Sequence, residues 1–440
     1  MLRSGSFAVD ITPPGSVYLT GYPHVNRMST GVHDPLLASA VCLESGGITL
    51  LLIALDILFF SSDTAARIRK KLCTACGIKP EHILVSATHT HSGPLTIEML
   101  SFAADSTVPG VNHLALEILE NGAVTAGKKA WTFLQPSEFA VTSAVVRGAG
   151  CNRHDPKGPA DPEIGIIVMR RMNDKKISAI SLVYCMHPTV LHEDSTLISS
   201  DFPGAVRCGL TRKLQSEPVI CWYTGPEGNQ SPRYHVTGQT FAESNRLGCI
   251  IADAVSHAID QISDTGWSND IVLGGVIESI VPVRRTFPGL TAAQANLAAC
   301  RNEYERLKAS GAGHGPVRTA ECAVFGAEET LYLCARSADG TIPTLLDNQY
   351  AALGIQVLKI GNIFLAAFPG ELFVEYSLAL KERFPGKVFA VCLAGGDTQG
   401  YIAVPGASGY EADNSLFDPW TGTLMLEKAD FLIKSLDNKK

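Results

Sequence analysis

The sequence predicts an α/β fold of mixed β-sheets packed with helices, and three observations predict it. Strand-like and helix-like patterns alternate through most of the 440 residues, with no repeat, low-complexity tract or Pro/Gly/Ser linker to mark a boundary. Residues 48–87 read as strand, helix, strand, the unit that delivers the residues after its second strand to the carboxyl edge of a sheet. Several apolar runs also end in metal-competent side chains instead of ordinary turn residues. With 46% hydrophobic and 18% charged content, the chain is expected to form one continuous domain over 1–440.

Element by element, "ASAVCLESGGITLLLIALD" reads as a hairpin, because Gly46-Gly47 supplies a positive-φ turn between two apolar runs. "SSDTAARIRKKLCTACG" carries helix start signals at Ser and Asp and a stop at Gly77. "HILVSATHTHSGP" is the next strand, ending in His89 and His91. "EIGIIVMRRMNDKKISAISLVYCMHPTVL" is a strand pair joined by an Asn-Asp turn, its second strand ending in His187. "VICWYTGPEGNQSPRY" runs into a Gly/Pro-rich loop. "LGIQVLKIGNIFLAAFPGELF" repeats the hairpin plan with Gly361-Asn362 as its turn, and Glu371 then opens a predicted helix. Residues 285–350 are expected to form a helical excursion over the core, with a mixed stretch around Gly313-His314-Gly315.

Composition excludes some classes of function. Net charge is −7 and the basic residues are scattered, so there is no cationic stripe for nucleic acid or an anionic membrane. The longest apolar run, "ITLLLIALDILFF", is broken by Asp56 and falls short of the ~20 residues of a membrane helix. Without a signal-like start, the chain is expected to be cytoplasmic, its twelve cysteines core thiols, and the lone Cys73-x-x-Cys76 no zinc site. The expected partner is a small molecule, and the oligomeric state is left open.

In extended backbone, residues i and i+2 share a face, so His89 and His91 are placed to meet one ion, or one ion and one substrate atom. His187 and Glu371 follow apolar strands in the same way, and two imidazoles with a carboxylate suffice as a catalytic zinc shell. Singly, each has a plainer reading: loop histidines, a core histidine bonded to backbone, a helix N-terminal carboxylate. A metallo-β-lactamase pattern fails because Ser92-Gly93-Pro94 follows the histidine pair. An amidohydrolase barrel, drafting His187 and Asp397, lacks a lysine at a strand end but stays open, as does a phosphoesterase, both with two metals.

Several ordered blocks, "VDITPP", "GVHDPLLASAVCLE", "SATHTHSGP", "NRHDP", "CMHPTVL", "GNQSPR", "FPGE" and "GYIAVPGASGYEADNSLFDP", resemble the neutral (non-lysosomal) ceramidases over nearly all of the chain. The resemblance implies one Zn2+ held by positions matching His89, His187, Glu371 and Tyr401. It also implies substrate-facing roles for His91, Arg153 and Tyr410, and a nucleophile or loop-capping role for Ser231. Zinc there would lower the pKa of its water and polarise the scissile carbonyl, with Arg153, His91 and Tyr410 donating to developing charge.

The family's secreted members carry a leader and a C-terminal β-sandwich, neither of which is expected in this chain. The last block is also shorter than usual between its tyrosines, at the expected pocket mouth. The expected activity is therefore zinc-dependent hydrolysis of an amide, or an ester, smaller and more soluble than ceramide, within lipid metabolism. A non-catalytic binding protein on the same fold is the other class, and four metal-competent groups on four separate segments argue against it.

Overall fold

Gly46 and Gly47, at φ 59° and 78°, turn the chain between antiparallel strands Leu37–Ser45 and Ile48–Leu55, as the sequence predicts. In this computed structural model, which describes residues 1–103, 105–214 and 216–438, Ser61 then caps helix Ser62–Cys76 by accepting the Thr64 N–H at 3.2 Å. Gly77 ends that helix in the left-handed region. The chain returns as strand Ile83–Ala87, parallel to Ile48–Leu55, completing the expected strand–helix–strand unit.

These strands form one end of an eight-stranded sheet. Its order is Val219–Thr224, Ile177–Tyr184, Glu163–Arg171, Gln135–Val145, Arg3–Asp10, Leu37–Ser45, Ile48–Leu55, Ile83–Ala87. A second sheet orders Leu273–Ile280, Leu353–Ile360, Ile363–Ala367 and Val388–Val391. Alternation along the strands buries Leu52, Leu84, Ile167 and Val183 of the first sheet with Leu358, Leu365, Phe389 and Val391 of the second in one apolar cluster. Gly165 is needed there, since a Cβ would come within 2.5 Å of the Phe389 ring. Helices Ser62–Cys76, His113–Thr132, Phe202–Leu214 and Phe241–Asp260 pack on the large sheet, and Trp420–Asp437 packs on the small one.

The helical excursion is present as Leu290–Ala309, His314–Ala338 and Thr341–Gln349, and the stretch around His314 begins the second of these helices. The Asn173-Asp174 turn also joins its strand pair as expected, inside a loop spanning Met172–Lys176 in which a register shift at Met169/Arg170 and a positive φ at Lys175 take up chain. Two local readings are corrected. Glu371 does not open a helix: it pairs in a two-residue strand, Glu371–Leu372, and the helix begins at Val374. Of the twelve cysteines, all of them free, Cys42, Cys151, Cys185, Cys221, Cys334 and Cys392 are buried, whereas Cys208 and Cys249 are exposed on helices.

The carboxyl ends of three strands from the two sheets are tied together. Thr224 Oγ1 donates to Thr88 O at 2.8 Å, Cys392 N to Thr224 O at 2.8 Å, and Ala87 N to Leu393 O at 3.0 Å. The loops leaving those ends therefore converge.

Candidate metal centre

His89 stands two residues past strand Ile83–Ala87, His187 three past Ile177–Tyr184, and Glu371 four past Ile363–Ala367. All three are almost wholly buried. Glu371 Oε2 lies 2.9 Å from His187 Nε2 and 3.2 Å from His89 Nε2. His91 Nε2 is 3.3 Å from His89 Nε2. The two histidines of the pair do meet, but not through extended backbone, because His89 has φ 70° and turns the chain between them.

The hydrogen bonds fix the imidazole protons. His89 Nδ1 faces Leu58 O at 3.1 Å, His91 Nδ1 faces Gly21 O at 3.1 Å, and His187 Nδ1 faces Glu227 O and Gln230 O at 2.8 and 2.9 Å. Carbonyl oxygens only accept, so each Nδ1 carries a proton, and Nε2 is the nitrogen each ring leaves for Glu371 or for a cation. Burial, followed by the charge of Arg153, lowers His187 to about 4, and burial with the neighbouring His89 and His187 holds His91 well below its ordinary value. Burial alone would raise Glu371, but His89 and His187 outweigh it and hold this carboxyl well below the usual range. Two Nε2 atoms and a carboxylate oxygen meeting at one buried point fit a metal ion, which would take the place of the protons between them.

The structure adds a second buried acid, Glu227, that the sequence reading does not single out. It follows strand Val219–Thr224 by three residues, is fully buried, and neither carboxylate oxygen has a hydrogen-bond partner among the described residues. One of its oxygens lies within 4.8 Å of ligand atoms of both His89 and Glu371. Its place beyond an apolar strand is the same signal that marks His187, and it is visible in "VICWYTGPEGNQ".

Tyr401 reaches the same place through backbone pairing, opposite Glu371 in a parallel ladder with Leu372 and Ile402. The Arg153 guanidinium lies over its ring, 5.3 Å from the centroid, and over that of Tyr410 at 5.9 Å. Arg153 Nε pairs with Glu411, its Nη1 is 3.5 Å from His187 Nε2, and its Nη2 is buried without a partner among the described residues. Burial raises the Tyr401 and Tyr410 phenols above their ordinary value, so both keep their protons in the ion-free chain. Ser231 is buried in a two-residue strand against Cys151–Asn152, where its Oγ accepts the Arg233 N–H at 3.3 Å. That contact is turn-capping, and the hydrogen bonds give Ser231 no histidine partner among the described residues.

The centre opens into a cavity of about 640 Å³. Leu58, Phe59 and Met99 line one side, and the excursion contributes Leu297, Phe325 and Leu331. His89, His91, Glu371, Tyr401 and Tyr410 all border it. An apolar cavity bordered by a few convergent polar groups is the ordinary form of a small-molecule site.

Fold and centre together define an α/β protein whose two sheets bring buried imidazoles and carboxylates to the floor of an apolar cavity. Residues 3–218 match the family model of neutral/alkaline non-lysosomal ceramidase, N-terminal. Over 222 residues the chain is 23% identical to neutral ceramidase 2 of Arabidopsis thaliana, covering 47% of this chain and 29% of that protein. Over 221 residues it is 26% identical to neutral ceramidase of Pseudomonas aeruginosa, covering 46% and 32%. These matches span less than a third of the relatives' length. The crystal structure of neutral ceramidase from Pseudomonas aeruginosa superposes with a TM-score of 0.75 at 20% identity, covering 97% of this chain and 73% of that one. A ceramidase complexed with C2 gives 0.75 at 19% identity, covering 99% and 75%. Residues 3–218 thus resemble the neutral ceramidases in sequence, and the chain shares their fold.

Proposed function

We propose that this protein is a zinc-dependent amide hydrolase in which His89, His187, Glu371 and Tyr401 hold the ion. The observation that carries the reading is the meeting of His89, His187 and Glu371: two Nε2 atoms lie 3.2 and 2.9 Å from one carboxylate oxygen, with each Nδ1 tied to a carbonyl. Zinc suits such a nitrogen and oxygen set, and bound there it would supply a water of lowered pKa and polarise a carbonyl.

The remaining work falls to the chain's own residues. The apolar cavity walls seat the acyl chain and exclude water. Arg153 Nη1, 3.5 Å from His187 Nε2, and the Tyr410 hydroxyl are donors for charge developing on the carbonyl oxygen. His91, neutral and with its Nε2 lone pair exposed to the site, takes up a proton beside the reacting carbon and gives one to the leaving amine. Ser231 is assigned the loop-capping role over the nucleophilic one, because its hydroxyl has no base among the described residues.

Within this proposal the substrate is smaller and more soluble than ceramide, its acyl part held by the apolar lining of Leu58, Phe59, Leu297 and Phe325. Twelve free thiols support a reducing, cytoplasmic setting, and no helix among the described residues is long and apolar enough to cross a membrane. A single domain spanning 1–440 is supported by the apolar clusters that link both sheets and their helices. The two-metal reading rests on one observation, the spare carboxylate of Glu227 beside His89 and Glu371.

The test is metal analysis of wild type and His187→Ala beside a panel of N-acyl and ester chromogenic substrates. One zinc per chain, lost together with amide hydrolysis in the variant, is the expected result. Two ions would favour the two-metal alternative, and no bound ion would overturn both.

A further inference from the structure

A small recess of about 70 Å³ opens beside the centre, sharing Gly21, Pro23, His91, Phe325, Tyr401 and Tyr410 with the main cavity. The two spaces differ in charge. Asp105, Glu328, Glu329 and Glu371 border the main cavity, whereas the recess is bordered by Arg153, Arg233 and Arg318 and, among the described residues, by no carboxylate.

The three guanidiniums are not equally neutralised. Arg318 pairs with Glu193 at 3.1 Å and Glu321 at 2.7 Å. Arg153 pairs with Glu411 through Nε, but its Nη2 is buried and unpartnered among the described residues, in a residue only 7% exposed. Arg233 has, among the described residues, neutral acceptors alone: Arg153 O at 3.2 Å, Thr319 Oγ1 at 3.0 Å and Cys322 Sγ at 3.6 Å. An uncompensated cation beside an unsatisfied buried donor calls for an anion. The recess has room for a group of a few heavy atoms and not for an alkyl chain.

We propose that this recess is a subsite for a small anion, a carboxylate, on the amine half of the substrate, so that the preferred substrates are N-acyl amino acids. The inference rests on the amide-hydrolase reading and names its substrate class. The acyl chain lies in the main cavity, the scissile bond lies where the two spaces meet at His91 and Tyr401, and the amino acid's carboxylate faces Arg153 and Arg233. Hydrolysis breaks the C–N bond, adds the water's oxygen to the acyl carbon and a proton to the nitrogen, and yields a fatty carboxylic acid and a free amino acid.

The experiment compares N-acylglycine, N-acylethanolamine and N-acylphosphoethanolamine of one chain length on the zinc-loaded protein, in wild type, Arg233→Met and Arg233→Lys. Wild type is expected to favour N-acylglycine. Arg233→Met should raise its KM roughly tenfold or more, leave kcat and KM for N-acylethanolamine unchanged, and be partly rescued by Arg233→Lys. Added salt should raise KM for the anionic amides alone. Preference for the phosphate compound keeps the anion subsite and replaces carboxylate by phosphate. Preference for the neutral amide, or an equal effect of Arg233→Met on all three, overturns the proposal. If no amide is cleaved, the hydrolase reading fails separately. Calorimetric binding of N-acylglycine that weakens in Arg233→Met would still support the subsite, and no binding would overturn it.

Discussion

Glu371 and Tyr401 are direct partners in a parallel ladder only two residues long. Far apart in sequence, they are placed side by side by backbone, so the phenol's position depends on the ladder and not on side-chain packing alone. Tyr401→Phe keeps the ladder and ring contacts and deletes one oxygen. It should weaken zinc binding by about 10- to 100-fold while leaving thermal unfolding of the ion-free protein nearly unchanged, measurable by competition with a chelating dye and by calorimetry.

Gly21 is held at φ 119°, and its carbonyl accepts the His91 Nδ1 proton. A Cβ there would overlap His91 Nδ1 and the ring carbon beside it. Gly21→Ala must displace that imidazole, so turnover should drop by about two orders of magnitude while zinc content stays at the wild-type level. Loss of zinc in this variant would show that His91 also binds the ion.

Glu411 is buried, which by itself would raise its pKa, yet Arg153 and His154 hold it at about 2. A depressed carboxyl stabilises the fold above its unfolded pKa near 4.5, and that stabilisation is lost as pH falls towards 2. The difference corresponds to roughly 3 kcal/mol. Urea unfolding of wild type between about pH 5 and 2.5 should show a loss that is smaller in Glu411→Gln. Parallel curves for the two proteins would count against the pair.

Glu227 and Glu371 are two carboxylates beside His89, and Glu227 has no hydrogen-bond partner for its carboxylate among the described residues. Burial, and then the charge of Glu371, raise the Glu227 carboxyl well above its ordinary range, so it keeps its proton in the ion-free protein. Glu227→Gln is therefore expected to leave the melting temperature of the ion-free protein nearly unchanged and to reduce the further rise on adding zinc. An unchanged zinc-induced rise would mean that Glu227 plays no part in holding the ion.

Much of the centre is legible in the sequence, for a physical reason. A strand buried on both faces is a run of apolar residues, so a histidine or acid just past its end stands out, as His89, His187 and Glu371 do. Periodicity does not show how short elements pair. Glu371 reads as a helix start because a two-residue strand leaves no pattern, and the left-handed turn at His89 has no glycine to announce it. Tyr401, Arg153 and Tyr410 are reached by family resemblance alone, since a phenol or guanidinium in a loop has no spacing signature. Glu227 obeys the same strand-end rule as His187, but Gly225, Pro226 and Gly228 surround it, and that turn chemistry hides one buried acid inside a stretch that reads as solvated loop.

The walls of the main cavity come from two sources. Leu58 and Phe59 follow strand Ile48–Leu55 and Met99 follows the histidine pair, all in the part of the chain that builds the large sheet, whereas Leu297, Phe325 and Leu331 belong to helices inserted between strands of the smaller sheet. None of the four proposed ligands lies in that insertion. Drift in its sequence would redraw which molecules enter while leaving the proposed ligands intact, so relatives sharing those ligands need not share a diet, and exchanging residues 290–349 between them is a route to transplanting selectivity without rebuilding the floor of the cavity.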